Sequence, residues 1–530
     1  MPTDCISYQK SGYFSKLIVD YLNEKPELKQ FYSHFPTIEN FGKQLEEKGN
    51  NFNSNGNRDA LVFALQNQYE GYITSELTQQ NISSLSDRKT FTITTGHQLN
   101  LFTGPLYFLY KIVSVINLTK ELKVAYPDYH FVPVYWMATE DHDFEEINHF
   151  TFKGKKICWN AESTGPVGRL STEGLAKIFE VFELELGAGN NANSIKKLFQ
   201  ESYLNHTNLA GATRFLANTL FKEEGLVIID GDDSLLKKMF VPFAEQELLH
   251  QKSFEKVTET VTQLHGYDIQ VNPREINLFY IEDTIRERII FENGRYRVNN
   301  TEIDFSQDGI LDELESFPEK FSPNVILRPL YQEVILPNLC YIGGGGEIAY
   351  WLELKSMFDF YQITFPSLLL RNSVLLVNEK QAEKADKLHL SWNNLFLKQT
   401  DLVNLKTAEI SKFNLDFSEQ KAFLHQQFEK LNEIATQTDK SFTGAVKAQE
   451  KKQLKGLENL EKKLLKAEKK KYQEELLRIT ALQDEFFPNH SLQERQLNFS
   501  EFYLEIGNLL IAKLLEQLQP LSKDFSIIKT

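Results

Sequence analysis

At 530 residues the chain is too long for one hydrophobic core, so it must contain several units or one core with large insertions. Its 41% hydrophobic and 25% charged residues are ordinary for a globular protein, and no apolar run reaches the roughly 20 residues of a membrane-spanning helix. A net charge of −15 repels a phosphate backbone, which excludes broad nucleic-acid binding and leaves small molecules or proteins as partners.

The N-terminal stretch MPTDCISYQKSGYF lacks a basic segment followed by an apolar one and a cleavage site, so a cytoplasmic location is expected. Cys5, Cys158 and Cys340 lie far apart, which argues against a disulfide framework or a Cys-rich zinc site and reads as three reduced thiols.

In chain order, residues 1–88 read as helical, with GNNFNSNGNRD (49–59) as a loop. KTFTITTG (89–96) reads as a strand, HQLNLFTG as a loop, PLYFLYKIVSVINLTKEL as a helix and YHFVPVYWMA (129–138) as a second buried strand. Strand, helix and strand in about 50 residues make a βαβ unit of a parallel sheet. GLVIIDGDD (225–233), the apolar run before GGGG (343–346) and SLLLRNSVLLV (367–377) supply further strands.

Beyond about Glu379, two apolar seams step by threes and fours: Leu424, Phe428, Leu431, Ala435, then Leu457, Leu460, Leu464, Ala467. With Glu and Lys flanking them and a reversal near TDKSFTGA, they predict an antiparallel hairpin, its second arm about 60 Å long at 1.5 Å per residue. A protruding coiled coil points to a homodimer by base rate. The fold class is therefore α/β, a Rossmann-like parallel-sheet core with connecting insertions plus a C-terminal antiparallel α-helical coiled coil. The expected divisions are 1–150 (helical lead-in and first part of the core), 151–222 (insertion) and 223–232 (core strand). They continue with 233–323 (second insertion), 324–379 (remaining core with the glycine-rich loop), 380–490 (coiled coil) and 491–530 (C-terminal helical segment).

Three segments fall where open α/β sheets bind ligands, at the carboxyl ends of strands. The first is TTGHQLNLFTGP (94–105), with Thr95, Gly96, His97, Gln98 and Asn100, then Thr103 or Gly104 as N-cap and Pro105 in the first helical turn. Such a helix start offers free N–H groups to phosphate or carboxylate. The second is ATEDHDFEEINH (138–149), where Glu140, Asp141, His142 and Asp143 are dense enough to hold an amine, move a proton or bind a divalent ion. His142 and His149 are seven apart, about 10 Å on a helix, too far to share a metal, so no dedicated metal site is expected. The third is Gly343, Gly344, Gly345, Gly346 and Glu347, where absent side chains let a ligand approach backbone. It matches neither GxGxxG nor a Walker loop. Turn and packing roles for the glycines, a structural role for His97 and a solvated acidic helix start compete with these assignments. Asp230–Asp233 reads equally as cleft border or turn chemistry; Arg328 and Arg371 read as carboxylate clamps or, with more weight, as surface or structural ion pairs; and KKLLKAEKKK reads as an anionic-ligand face or, with more weight, a solvated helix face.

TTGHQLNLFTGPLYFLYKI, PVYWMATEDHDFEEINH, GGGGEIAYWLELK, LEKKLLKAEKKK and LQERQLNFSEFY, in that order, resemble the BshC family nearly end to end. The resemblance implies a Rossmann-like core, a dimerising coiled coil, and a ligase that joins the carboxyl of cysteine to the amine of glucosaminyl-malate in the last step of bacillithiol synthesis. Similar proteins often have Gln where this chain has His97. The core's likeness to class I synthetases implies cysteinyl-adenylate formation with ATP and Mg²⁺, although no standard ATP motif is present. On this reading residues 96–100 and the Thr103–Gly104 helix start surround an anionic group. Asp141 or Asp143 takes the amine proton, His142 orients or relays, and the glycine loop with Glu347 forms the opposite wall. Two other classes compete: a metal-dependent hydrolase with His97, Asp141, His142 and Asp143 as ligands, and a non-enzymatic coiled-coil scaffold.

Overall fold

The computed structural model describes residues 4–52 and 57–530. The chain forms two compact units, one built from residues up to Gln9, Tyr13–Leu376 and Leu492–Thr530, the other from Lys10–Gly12 and Val377–Ser491.

The first unit is organised by a parallel five-stranded sheet: β1 (Thr90–His97), β2 (His130–Met137), β3 (Val227–Asp230), β4 (Asn338–Gly343) and β5 (Ser367–Leu370), in spatial order β5-β4-β1-β2-β3. Every residue of β1, β4 and β5 is buried. That is why these segments read as continuous β-branched and apolar runs and not as alternating ones. Helix α1 (Tyr107–Ala125) carries the chain from β1 to β2. Its Val115, Leu118 and Leu122 join Phe91, Ile93, Leu339, Ile342 and Phe41 of helix Ile38–Phe52 in one core. Cys340 lies in that core, and burial pushes its thiol well above the usual range, so it is chemically inert.

Chain order runs outward from β1 through β2 to β3, then returns to the other side of β1 for β4 and β5. The carboxyl ends of β1 and β4 thus flank the topological switch point, where such sheets open a crevice. Between β2 and β3 lie a hairpin (His149–Phe152 with Lys155–Cys158) and helices Leu175–Leu186, Asn190–Phe199 and Leu209–Phe221. Between β3 and β4 come α2 (Ser234–His250), helix Lys252–Gln263 and a five-stranded antiparallel sheet that includes Leu278–Glu282, Ile285–Glu292 and Phe321–Pro323.

Several local readings are corrected. The polar stretch 49–59 is helical up to Phe52 and again from Asn57; residues 53–56 lie outside the described residues. SLLLRNSVLLV is two strands: β5, and Val374–Val377, which joins a separate sheet with Asp524–Lys529 and Asp4–Ser7. The expected all-helical segment 491–530 therefore closes with a strand.

The second unit pairs helix Ser418–Thr436 with helix Lys440–Lys471. Asp439 caps the second by accepting the N–H of Ser441 at 2.8 Å, and the arm breaks at Tyr472 before Gln473–Phe486, shorter than the continuous arm expected. Phe428, Ala435 and Val446 are buried with Leu424 packed on them. Leu431 and Leu460, expected in the seams, are 42% and 55% exposed, and Ala467 is exposed too. The contact line is turned so that polar rungs, His425 with Glu450 and Lys421 with Glu461 at 2.6 Å each, take part in it.

Candidate active site

A cleft of about 690 Å³ opens at the carboxyl ends of β1, β2 and β4. Gly96, His97 and Gln98 enter it from β1, Glu140 and Asp141 from the turn after β2, and Gly344, Gly346 and Glu347 from the loop after β4. The sequence segments chosen for chemistry thus converge, each by residues at or just past a strand's carboxyl end.

The first segment has two parts with different roles. Lys111 of α1, buried, donates to the Gly96 carbonyl at 2.7 Å and pairs with Glu347 at 2.6 Å. Glu347 also accepts the Tyr341 hydroxyl at 2.6 Å and the Gly344 N–H at 2.8 Å. Burial opposes its ionisation, but Lys111 and these donors outweigh that and hold the carboxyl below its ordinary value. This cluster bolts β1 to the glycine loop across the switch point. His97 is 6% exposed between Tyr107 and Phe108. Burial, then the Lys111 charge, keeps its imidazole well below the usual range, so it is neutral, with Nε2 lacking a partner.

Thr95, Asn100, Thr103 and Gly104 do not line the cleft. Thr95 donates to the Ile342 carbonyl at 2.7 Å, and Asn100 to the Glu146 carbonyl at 3.3 Å. α1 starts at Tyr107, not Pro105. The Gly104 N–H is used by Leu101 O at 2.9 Å and the Leu106 N–H by Leu497 O at 2.9 Å, while Asn498 holds the carbonyls of Phe102 and Gly104 at 2.8 and 2.6 Å. The expected anion site at Thr103–Gly104 is therefore closed. Gly104, at φ 60, could not be replaced, because a Cβ there would lie 2.6 Å from that of Asn100.

In the second segment, Asp141 accepts from Gln98 at 3.0 Å and from the His142 N–H at 2.8 Å. Burial pushes its carboxyl up, but the bonds from His142 and Gln98 and the charge of Arg286 win, leaving it well below the usual range. A carboxylate so stabilised is a poor proton acceptor. Gln98 also donates to Glu146 at 2.9 Å. Two carboxylates can only accept, so the Gln98 nitrogen faces both and its carbonyl oxygen is the end left for a ligand. Glu140 is 8% exposed and pairs with the buried Lys237, which also donates to Phe321 O at 2.6 Å. Burial raises this carboxyl despite Lys237. His142 and Asp143 are exposed and do not line the cleft. His142 Nδ1 is 2.5 Å from Arg286, so a cation already sits where a metal would be required. Among the described residues no three His, Cys, Asp or Glu side chains converge on one point. Asp230 to Asp233 serve turn and cap chemistry: Asp230 accepts the Thr139 hydroxyl, Asp232 pairs with Arg169, and Asp233 accepts Leu235 N–H at 2.9 Å to cap α2.

The glycine loop divides likewise. Gly343 lies behind the cleft, where a Cβ would come 2.9 Å from that of Glu347, and Gly345 faces a second cavity.

Sequence reasoning missed Lys111, Arg286 and Glu146, and gave a carboxylate clamp at Arg328 only as the lesser alternative. Arg371 is in a structural pair, 2.7 Å from the buried Glu494. Arg328 is not: it donates to Gln332 Oε1 at 3.0 Å and the Tyr350 hydroxyl at 3.3 Å, lies over the Tyr341 ring, and has no carboxylate partner among the described residues. It stands beside Gly96 at the floor of the crevice. Arg495, exposed at the rim, also forms no ion pair among the described residues. No local pattern marks any of these; Arg286 comes to the strand ends from the second insertion and Arg328 from the helix Leu327–Ile335 that leads into β4.

The wall formed by Gln270 and Val271 hangs from one group. Glu353, fully buried, accepts their N–H groups at 2.7 and 3.3 Å, and burial raises its carboxyl from 4.5 to about 7. A raised acid contributes stability below its unfolded value that is lost as pH climbs through the folded one. Glu353→Gln should therefore gain thermal stability relative to the parent between about pH 5 and about pH 8. A constant difference in unfolding midpoint across that range would show that Glu353 does not titrate there.

The family model described as "Bacillithiol biosynthesis BshC, N-terminal Rossmann-like domain" matches residues 1–372, and the corresponding "C-terminal coiled-coil domain" matches residues 374–530. A protein of Flavobacterium psychrophilum is 67% identical over 529 residues, covering 100% of both chains. One of Christiangramia forsetii is 56% identical, covering 100% of this chain and 99% of its own, and one of Bacillus cereus is 28% identical, covering 94% and 95%. Each bears the name "Putative cysteine ligase BshC". No helix among the described residues is long and apolar enough to cross a membrane.

Proposed function

The chain belongs to the BshC family of bacillithiol biosynthesis, and from that premise we propose that it is a ligase forming an amide between the carboxyl of L-cysteine and the amine of glucosaminyl-malate, the last step of that pathway. The observation that carries the reading is the switch-point cleft, where Arg328 has no counter-charge of its own and an anionic substrate completes the set. Malate brings two carboxylates and cysteine one.

A carboxylate is a poor electrophile, so the cysteine carboxyl must first carry a leaving group, which ATP would supply. The phosphate-binding role expected of Thr103–Gly104 does not fit, because the N–H groups of Gly104, Leu106 and Phe108 at that turn are taken and neither Thr103 nor Gly104 lines the cleft. The fit lies with Arg328 and Arg495, cleft-lining guanidinium groups that form no ion pair among the described residues and, unlike Arg286, do not contact His142. The carboxylates near them are already engaged by Lys111, Lys237 or Gln98. Mg²⁺ would therefore be held mainly by the nucleotide, as is common for this ion.

Asp141 does not suit the proton-accepting role, because it is strongly ionised, and Asp143 lies outside the cleft. Asp141 instead fixes Gln98, whose carbonyl oxygen orients the incoming amine. Asp141→Asn is expected to lower kcat/KM about tenfold, because the new amide lets Gln98 turn over; an unchanged rate in the folded variant would remove Asp141 from the site. The hydrolase reading requires His97, Asp141, His142 and Asp143 on one ion. Burial of the first and the Arg286 contact of the third disfavour it.

Exposed Leu431, Ile434, Phe442 and Leu460 on the coiled-coil unit support a homodimer through that unit. Sedimentation of Ile434→Glu as a monomer would bear this out, and an unchanged dimer would not. A cytoplasmic location follows from the pathway. The test of the function itself is the thiol profile of cells lacking this gene. Loss of bacillithiol with accumulation of glucosaminyl-malate, both reversed by complementation, assigns the step, whereas an unchanged thiol pool refutes it.

A further inference from the structure

Beside the main cleft lies a second cavity of about 180 Å³, walled by Phe14, Ile18, Gly345, Leu370, Arg371 and Leu492. It shares Gln270, Gly344, Gly346, Arg371 and Arg495 with the cleft, so the glycine loop is the partition between them. None of these glycines has a positive φ. Packing demands a glycine at Gly343, but a Cβ at Gly344, Gly345 or Gly346 would meet nothing nearer than 3.4, 3.4 and 3.7 Å, ordinary contact distances. Neither backbone nor packing explains the last three, which leaves the width of the aperture as their reason.

Arg371 stands at that aperture. It is 4% exposed, with NH1 on Asn372 O and Ser373 Oγ and NH2 on Glu494. Its Nε–H has no acceptor and lies 3.7 Å from where a Gly344 Cβ would be. Glu494 accepts from Arg371 NH2, Ser373 Oγ and Val374 N–H, so it fixes the guanidinium through NH2 and leaves Nε unpaired. A buried donor left unmade is costly, and a ligand carboxylate at the partition removes that cost.

We propose that this side chamber takes the amino-acid substrate. The carboxylate sits on Arg371 Nε–H, open to the main cleft, and the small side chain lies among Phe14, Ile18, Leu370 and Leu492. The inference rests on the ligase reading and adds the seat of one substrate. Pockets for larger ligands span roughly 300–1,000 Å³, so the chamber excludes the sugar conjugate and admits an amino acid with a short, weakly polar side chain such as cysteine. The acceptor then occupies the larger cleft.

The test is Gly345→Val, because Gly345 lines the chamber and not the cleft. Steady-state amide formation should show the KM for cysteine raised at least about tenfold, with the KM for the acceptor within about twofold of the parent. Saturation-transfer NMR with cysteine alone should show binding to the parent and its loss in the variant. Should Gly345→Val not fold, Leu492→Phe narrows the opposite wall with the same expectation. An active parent whose folded variant keeps its cysteine KM overturns the chamber assignment. An inactive parent that binds cysteine, with binding lost in the variant, overturns the ligase reading and leaves the chamber standing. A parent that neither turns over nor binds cysteine overturns both.

Discussion

Arg328→Met is expected to lower kcat/KM by about 10²–10³-fold, the loss of roughly 3–4 kcal/mol of charge-assisted binding in a desolvated site, while leaving thermal stability unchanged or raised. The two halves of that expectation have one cause. Burial works against the Arg328 charge, and Tyr350, Tyr341 and Glu347 around it tip the balance, so it stays a cation. Within hydrogen-bond reach it has only neutral acceptors, Gln332 and a Tyr350 hydroxyl. A half-buried cation without a paired carboxylate adds little to folding, and methionine of similar length keeps the packing of its stem. An ordinary structural arginine would behave oppositely, losing stability on substitution. Steady-state kinetics with a thermal melt of the same sample separates the cases: unchanged kcat/KM removes the anion site from the floor of the crevice, and a large fall in melting temperature makes Arg328 a structural residue.

Lys48→Met should cost about 3–5 kcal/mol of stability, the range for breaking one side of a buried ion pair, read as a lower urea midpoint. Lys48 and Glu333 are 3.0 Å apart with side chains 2% and 0% exposed. Glu333 also accepts from Gln332 at 3.0 Å and from Asn338 at 2.7 Å. Asn338 in turn accepts the hydroxyls of Thr92 and Thr94 at 3.3 and 2.9 Å. One chain of hydrogen bonds thus runs from helix Ile38–Phe52 through β4 to β1 and positions the two strands whose ends make the crevice. Without Lys48, the carboxylate remains buried beside neutral amides. Pairing the change with Glu333→Leu should recover most of the loss, because a hydrophobic replacement of a whole buried pair is often nearly neutral. Failure of the double variant to recover would show that the Asn338 bonds, not the charge pair, carry the stability.

The sheet was legible because each core strand is buried on both faces, and a run such as Thr90–His97 has no other stable setting. Gly96, Gln98, Glu140, Asp141 and Glu347 were legible for a related reason: strand ends are visible in sequence, and ligands meet the sheet there. What followed each strand end was harder. The charge density of EDHD read as one cluster, yet only Glu140 and Asp141 line the cleft, and His142 and Asp143 turn outward. Thr103 and Pro105 carry every sign of a helix start, but long-range bonds from Leu497 and Asn498 occupy it. Arg286 reaches Asp141 from a strand of the second insertion, more than a hundred positions away, a distance no local pattern spans. In the coiled coil, one apolar seam per arm was visible, but the polar pairs Lys421–Glu461 and His425–Glu450 that also lie between the arms were not, because charged residues read as flanking positions.

The strand Asp524–Lys529 lies between Asp4–Ser7 and Val374–Val377, so three short segments from widely separated parts of the chain share one sheet. During synthesis the first of them waits unpaired at the ribosome until the whole coiled-coil excursion and the residues after it have emerged. Leu492, Glu494 and Arg495, which help to wall the side chamber, arrive in that same late stretch. Nascent chains stalled before about residue 492 should therefore hold a folded sheet with an unfinished chamber. A chaperone that shields an open edge strand would have this chain as a natural client.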